Sequence, residues 1–238
     1  MTTNILIIGA TRGLGASLRT LYASNPSTHV FATSRSGKKP ESSQSNISWI
    51  PNIDLTKSDV GNSLTTQLPP STKLSSDKQV QMYTTSTIAP VFVVQKLVKS
   101  GFLEKGSKVI LVSSESGSIT LRHESEGGGN YGHHASKTAL NMVGKLLSLD
   151  VKDRGIAVGL VHPGFMRTEM TRGVGFDKYW DDGGAVTPDE AAKSLASFVE
   201  DFDIRKTGEY WAPRGPGDIG TAEPVLGKNL PTPLQLPW

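Results

Sequence analysis

The 238-residue chain has no cysteine, which excludes disulfides and thiolate catalysis. It also lacks a dominant charge: 25 Lys and Arg against 22 Asp and Glu leave +3. The basic residues are scattered and form no run of the kind that attracts nucleic acid. Apolar stretches of membrane-spanning length are missing too. "NILIIG" begins at Asn4, leaving no room for a charged segment, an apolar signal core and a cleavage site. These absences predict a soluble, cytoplasmic protein with no nucleic-acid or membrane partner, long enough to bury the core of one large domain.

What the chain does have is alternation. Apolar runs of strand length alternate with helix-period segments, the arrangement of βαβ units around a parallel sheet. Strands are predicted at "NILIIG" (4–9), "VFATS" (30–34), "ISWIPNI" (47–53), "KVILVS" (108–113), "IAVGLV" (156–161) and "EYWAP" (209–213). Helices are predicted at about 13–24, 57–67, 77–100, 132–152 and 188–201. "TPDE" starts the last of these, with Thr187 as N-cap, Pro188 at the first helical position and Glu190 closing a capping box. The expected fold is a single α/β domain over 1–238, a Rossmann-like doubly wound parallel sheet in three layers. Residues 214–238, rich in proline at their end, read as an irregular tail.

One strand is hard to find. Between helices 57–67 and 77–100 stands "LPPSTKLSS", residues 68–76. Nine extended residues span roughly 30 Å, enough to cross a sheet. A central parallel strand should nevertheless be an apolar run, and proline cannot donate to the ladder. Strand 4 is therefore expected to be degenerate or missing, weakening the centre of the sheet beside the first strand.

"GATRGLG" follows the first strand and opens a helix, so its glycines let the backbone turn tightly and approach a pyrophosphate at the helix N-terminus. Gly9, Thr11, Arg12, Gly13, Leu14 and Gly15 are the candidate phosphate-loop residues. An NAD site usually carries an acidic side chain about twenty residues further on. Here the second strand ends in Ser34-Arg35, and no carboxylate occurs before Glu41. Arg12 and Arg35 would attract a 2′-phosphate, which favours NADP(H); Lys38 and Lys39 read as solvated loop charges.

On "GATRGLG" (9–15), "IDLT" (53–56), "STIAP" (86–90), "VSSESGSI" (112–119), "ASKTALN" (135–141) and "HPGFMRT" (162–168), in that order, the chain resembles the short-chain dehydrogenase/reductase family, in its C-factor-like fungal and bacterial branch. The resemblance implies that Asp54 bonds the adenine amino group and Ser114 polarises a substrate carbonyl. It implies that Lys137 binds the nicotinamide ribose and lowers the proton donor's pKa. Pro163, Gly164, Met166 and Thr168 would line the carboxamide end of the cofactor. By the same analogy the chain associates as a homodimer through helices 77–100 and 132–152.

The resemblance breaks at three places. Strand 4 is one, and Ser86 stands where the family has a helix asparagine. In "YGHHASK" (131–137) the family's tyrosine position, four residues before Lys137, is held by His133. Three readings of the proton donor stay open: His133 itself, Tyr131 displaced by two positions, or a site that binds cofactor without turnover. His134 points about 100° from His133, so the pair is no metal site, and no metal is expected. His162 reads as structural at a strand end.

The function that follows is NADP(H)-dependent reduction of a ketone or aldehyde of a small molecule, or oxidation of the matching alcohol. The alternative is a non-catalytic dinucleotide-binding protein of the same fold. Tyr179, Trp180 and Trp211 are candidate pocket walls, and 165–186 is a candidate substrate lid.

Overall fold

The structure is a computed structural model and describes residues 3–37, 44–57 and 78–238. Most of the helix expected at 57–67, the degenerate strand expected at 68–76, and Lys38 and Lys39 lie outside the described residues.

Seven strands and seven α-helices are described. They run β1 (Thr3–Ile7), α1 (Gly13–Ala23), β2 (Thr28–Thr33), β3 (Ile47–Ile50), α2 (Lys78–Tyr83), α3 (Ala89–Lys99), β4 (Lys108–Val112), α4 (Tyr131–Val151), β5 (Ala157–Val161), α5 (Glu169–Gly173), α6 (Pro188–Asp201), β6 (Tyr210–Ala212), α7 (Ala222–Leu226) and β7 (Leu234–Gln235). A π-helical turn, Thr84–Ile88, joins α2 to α3 and contains Ser86. The α6 capping box forms as expected: the Glu190 N–H donates to Thr187 Oγ1, and the Thr187 N–H donates back to the Glu190 carboxylate at 2.8 Å.

Among the described residues the strands make two sheets, β1-β2-β3 and β4-β5-β6-β7, parallel throughout except for β6-β7. Among the described residues no strand pairing joins the two sheets. β1 stops at Ile7 because Gly9 turns the chain at φ +89. β3 stops at Ile50 because Pro51 lacks a donor and Asn52 turns left-handed at φ +61.

Helices cover both faces. β5 is buried at all five positions, as a strand covered on both sides should be. Val158 and Leu160 pack towards Val94 of α3 and Leu140 and Leu147 of α4. Ala157 and Val161 pack towards Leu195 and Phe198 of α6 with Leu14 and Leu18 of α1. Gly144 lets α4 lie close on the sheet, since a Cβ there would stand 2.7 Å from Leu160. The same helices tie the two sheets together. On one face Val93 of α3 joins Ile50 and Ile53 while Val94 joins the β5 cluster; on the other, Leu18 of α1 packs with both.

The tail expected to be irregular carries α7 and β7. In "PLQLP" Leu234 and Leu236 alternate with exposed Gln235, a strand period; the prolines at 233 and 237 flank the two strand positions. β7 pairs antiparallel with β6, Leu236 N–H donates to Tyr210 O at 2.8 Å, and Trp238 stacks on the Tyr210 ring.

Candidate active site

The phosphate loop is anchored to the end of β2: Gly9 N–H donates to Thr33 Oγ1 at 2.9 Å and Ala10 N–H to Thr33 O at 3.2 Å. Gly13 is left-handed at φ +53, and a Cβ on Gly15 would lie 2.1 Å from Gly9 O, so no side chain fits there. Arg12 precedes α1 in extended backbone and its side chain does not cap the helix. The first turn of an 11-residue helix therefore presents backbone donors above a loop that carries no side chain at Gly9, Gly13 and Gly15, which fits an anionic pyrophosphate. Thr11 and Arg12 are exposed at its rim, with Arg12 Nη1 3.8 Å from Glu169. Arg35, beyond the buried Ser34, is exposed and pairs with no carboxylate among the described residues. Asp54 Oδ1 accepts from Thr56 N–H at 3.0 Å and Thr56 Oγ1 at 2.9 Å, which fixes the carboxylate.

Residues 162–168 face this loop from the other sheet. Thr168 caps α5, and its methyl carbon is 4.0 Å from where a Gly13 Cβ would be. Gly164 turns at φ +103 against Asp218 and Arg214. Met166 bridges to Val186 and its carbonyl accepts from Thr171 Oγ1 at 2.8 Å. Pro163 sits buried beside His162. The His162 Nδ1 accepts the Glu115 N–H at 3.1 Å, which leaves Nε2 as the ring nitrogen that carries a proton. That Nε2 is 3.6 Å from Asp218 Oδ1, beyond hydrogen-bond length. Asp218 Oδ2 accepts from Phe165 N–H at 3.0 Å and Arg214 Nε at 3.2 Å. Burial pushes the Asp218 carboxyl up, but His162, the Phe165 N–H and Arg214 outweigh it and hold it below the usual carboxylate range.

Ser114 follows β4, and the 3₁₀ turn Glu115–Gly117 starts on it. Its Oγ lies 2.7 Å from Ser116 Oγ, and Ser116 Oγ lies 3.2 Å from His133 Nδ1 on α4. His133 is held down to about 4 by burial, then by the charge of Lys137 and by His134, so it is neutral at physiological pH. Burial lowers Lys137 to about 8; its Nζ donates to Val112 O, a carbonyl of β4, at 2.9 Å. The loop and helix meet at Gly117, where a Cβ would stand 2.9 Å from the Lys137 carbonyl carbon. Tyr131 is the first residue of α4 and 80% exposed. Two residues before His133, it points about 200° around the helix and away from Ser114.

The structure thus brings Ser114, His133 and Lys137 together and leaves Tyr131 outside them. Trp211, a suggested pocket wall, packs instead on Phe198 of α6, because β6 turns that side of its alternation to the helix. Tyr179 and Trp180 stay in the 165–186 segment, where Arg172 stacks on Trp180 and Trp180 Nε1 donates to Thr171 Oγ1.

Three residues of the site escaped sequence reasoning. Ser116 was visible as a second hydroxyl two positions after Ser114. Tyr210 is fully buried and its hydroxyl donates to Ser114 O, while Asp218 lies in the segment read as a tail; nothing local in the sequence marks either.

Residues 51–178 match the short chain dehydrogenase family. The chain is 28% identical over 133 residues to 1-hydroxy-2-glutathionyl-2-methyl-3-butene dehydrogenase of Rhodococcus sp. (strain AD45), a match covering 56% of this chain and 53% of that protein. The chain therefore spans about half the length of that relative. It is 27% identical over 251 residues to the short chain dehydrogenase gsfK of Penicillium aethiopicum, covering 88% of this chain and 96% of that one. In fold it is similar to the NADPH-bound carbonyl reductase from chicken fatty liver, with TM-score 0.69 at 20% identity, over 89% of this chain and 92% of that one. Among the described residues no helix is long and apolar enough to cross a membrane.

Proposed function

The chain belongs to the short-chain dehydrogenase family, and on that footing we propose that it is an NADP(H)-dependent reductase of a ketone or aldehyde on a small molecule. The observation that carries the reading is Ser114, presented at the C-terminal end of β4, with His133 on the facing helix and Lys137 one turn further on.

The backbone of Gly9, Thr11, Arg12, Gly13, Leu14 and Gly15 would hold the pyrophosphate, and Asp54 the adenine. Arg35 would take the 2′-phosphate, and the NADPH held by the chicken enzyme is consistent with that choice. Lys137 would bind the nicotinamide ribose, and Pro163, Gly164, Met166 and Thr168 the carboxamide end. When bound, the reduced cofactor would supply a hydride to the carbonyl carbon. Ser114 donates a hydrogen bond to the carbonyl oxygen as negative charge develops there. His133 is the proton-donating position, and the Lys137 cation stabilises the same charge. Segment 165–186 closes over the substrate. A homodimer belongs to this reading: Met142, Leu146 and Leu149 are exposed at helical spacing along α4, and Phe92 is exposed on α3.

The second reading, a non-catalytic dinucleotide-binding protein, is favoured by one observation: at pH 7 the neutral His133 lacks the second ring proton that an imidazolium acid would donate directly. Titration with NADPH by fluorescence, followed by NADPH consumption with a panel of ketones and aldehydes, separates the two. Wild type should bind and turn over, Lys137→Ala should lose turnover, and Tyr131→Phe should match wild type. Binding without turnover in wild type, with turnover gained by His133→Tyr, would sink the reductase reading. Loss of turnover in Tyr131→Phe would move the donor to Tyr131.

A further inference from the structure

Histidine is shorter than the tyrosine it replaces, and among the described residues no hydrogen bond joins His133 to Ser114. The gap between them is filled by Ser116. Its side chain is buried at 5% exposure, with Oγ 2.7 Å from Ser114 Oγ and 3.2 Å from His133 Nδ1. Its N–H is also turned to Ser114 Oγ, at 3.3 Å, so backbone and side chain face the same oxygen. The neighbouring polar groups are committed elsewhere. Ser113 Oγ donates to Asn141 Oδ1 at 2.6 Å, Asn141 Nδ2 donates to Gly117 O, and the Tyr210 hydroxyl is spent on the Ser114 carbonyl.

We propose that Ser116 is a relay residue that carries the proton from His133 Nδ1 to Ser114 Oγ during carbonyl reduction. The inference rests on the reductase reading and names how a histidine serves that site. The step balances as follows. Two electrons and a hydrogen reach the carbonyl carbon as hydride from a reduced nicotinamide dinucleotide, and the carbon–oxygen π pair moves onto oxygen. That oxygen takes the Ser114 Oγ proton. Ser114 takes one from Ser116, Ser116 takes one from His133 Nδ1, and the ring takes one at Nε2 from a solvent water, whose hydroxide passes to bulk solvent. Each hydroxyl ends with the proton count it began with, and the imidazole ends neutral with its proton moved from Nδ1 to Nε2. A ring that is neutral at rest suits this role, since it hands a proton through and need not hold a second one. The charged and titratable groups acting on it are Lys137 and His134.

The test compares wild type with Ser116→Ala and Ser116→Thr in the full chain. For Ser116→Ala the expected result is an NADPH Kd and a carbonyl KM within about threefold of wild type, with kcat lower by about 100-fold, the lower end of what a positioned proton-transfer group contributes. The solvent deuterium isotope effect on kcat should rise, and Ser116→Thr, which keeps the hydroxyl, should recover kcat to within about fivefold. A merely structural serine would move KM and thermal stability and leave the isotope effect alone. Wild-type kcat and isotope effect in Ser116→Ala would overturn the relay. A second arm needs no turnover: the ¹⁵N shift of His133 Nδ1 in the protein without cofactor should change in Ser116→Ala and return towards wild type in Ser116→Thr. An unchanged shift overturns the relay on its own. If wild type binds NADPH and reduces no carbonyl, the reductase reading fails and the nitrogen shifts alone decide whether the hydrogen-bonded chain exists.

Discussion

Replacing Gly117 by alanine tests whether the spacing between the serine loop and α4 sets the rate. A Cβ there would stand 2.9 Å from the Lys137 carbonyl carbon, 3.0 Å from Lys137 Cβ and 3.0 Å from Asn141 Nδ2. Two of these are backbone or backbone-attached atoms in the middle of a 21-residue helix and cannot swing aside. Ordinary contact begins near 3.4 Å, so the loop must retreat by about half an ångström. That carries Ser116 Oγ from 3.2 Å to about 3.7 Å from His133 Nδ1, too long for a hydrogen bond. Overpacking of this kind destabilises by about 1–3 kcal/mol, and at this chain length each kcal/mol shifts Tm by about 2–4 °C. Misplacement of this order lowers kcat by about 10- to 100-fold. The phosphate loop is on the other sheet, so NADPH affinity should stay within about twofold. Gly220→Ala, with nothing within 4 Å of its Cβ, is the control and should leave Tm and kcat unchanged. The assay is steady-state NADPH consumption beside thermal denaturation and NADPH fluorescence titration. A Gly117→Ala protein with wild-type kcat would refute the argument that loop–helix spacing limits the chemistry.

Four further outcomes are expected. Gly15→Ala, whose Cβ would meet Gly9 O at 2.1 Å, should abolish NADPH binding in the same titration. Arg35→Glu should weaken NADPH by about 10- to 100-fold, the worth of a charge-assisted hydrogen bond, and leave NADH unaffected. Asp218→Asn should cost about 3 kcal/mol at pH 7 in denaturant unfolding, because it leaves Arg214 facing a side chain that is nearly fully enclosed. The Asp218 carboxyl is depressed in the folded state, so its stabilisation is present above the unfolded value near about 3.9 and is lost as pH falls through the lower folded value; Tm followed from pH 7 to pH 3 should fall less steeply in Asp218→Asn than in wild type. Leu146→Glu should give a monomer by light scattering if the exposed stripe on α4 is the subunit contact.

Legibility in the sequence followed the range of the interaction responsible. β5 and α6 were visible because their signals are local: an unbroken apolar run, and a cap with proline at the first helical position. His133 was visible through spacing alone, four residues before Lys137 on one helix. β7 was missed because prolines dominated the reading, although the Leu234–Leu236 alternation was there. Asp218 and Tyr210 could not be found locally. They act on His162 and Ser114 from 96 residues away for Tyr210, and only the pairing of β5 with β6 brings them into reach.

Among the described residues the candidate site is divided between the two sheets. The phosphate loop, Arg35 and Asp54 belong to β1-β2-β3, whereas Ser114, Ser116, His133, Lys137 and residues 162–168 belong to β4-β5-β6-β7. Strand pairing does not join these halves among the described residues, so helices must. α1 packs Leu14 and Leu18 beside Leu195 and Phe198 of α6, and on the opposite face α3 reaches both clusters. The π-helical turn before α3 adds one polar tie, Thr87 Oγ1 donating to Ser136 O of α4 at 2.9 Å. The two halves of the chemistry therefore have different mechanical supports. The proton-handling groups are fixed within one sheet and the helix lying on it, through hydrogen bonds that involve no residue of the first sheet. Among the described residues the distance from that cluster to a cofactor held at α1 depends on helix packing and a few side-chain contacts, such as Ser17 Oγ donating to Asp189 Oδ1 at 2.5 Å, which yield more readily than a hydrogen-bonded ladder. Loosening the helix contacts should accordingly impair cofactor positioning before it disturbs the Ser114–Ser116–His133 chain.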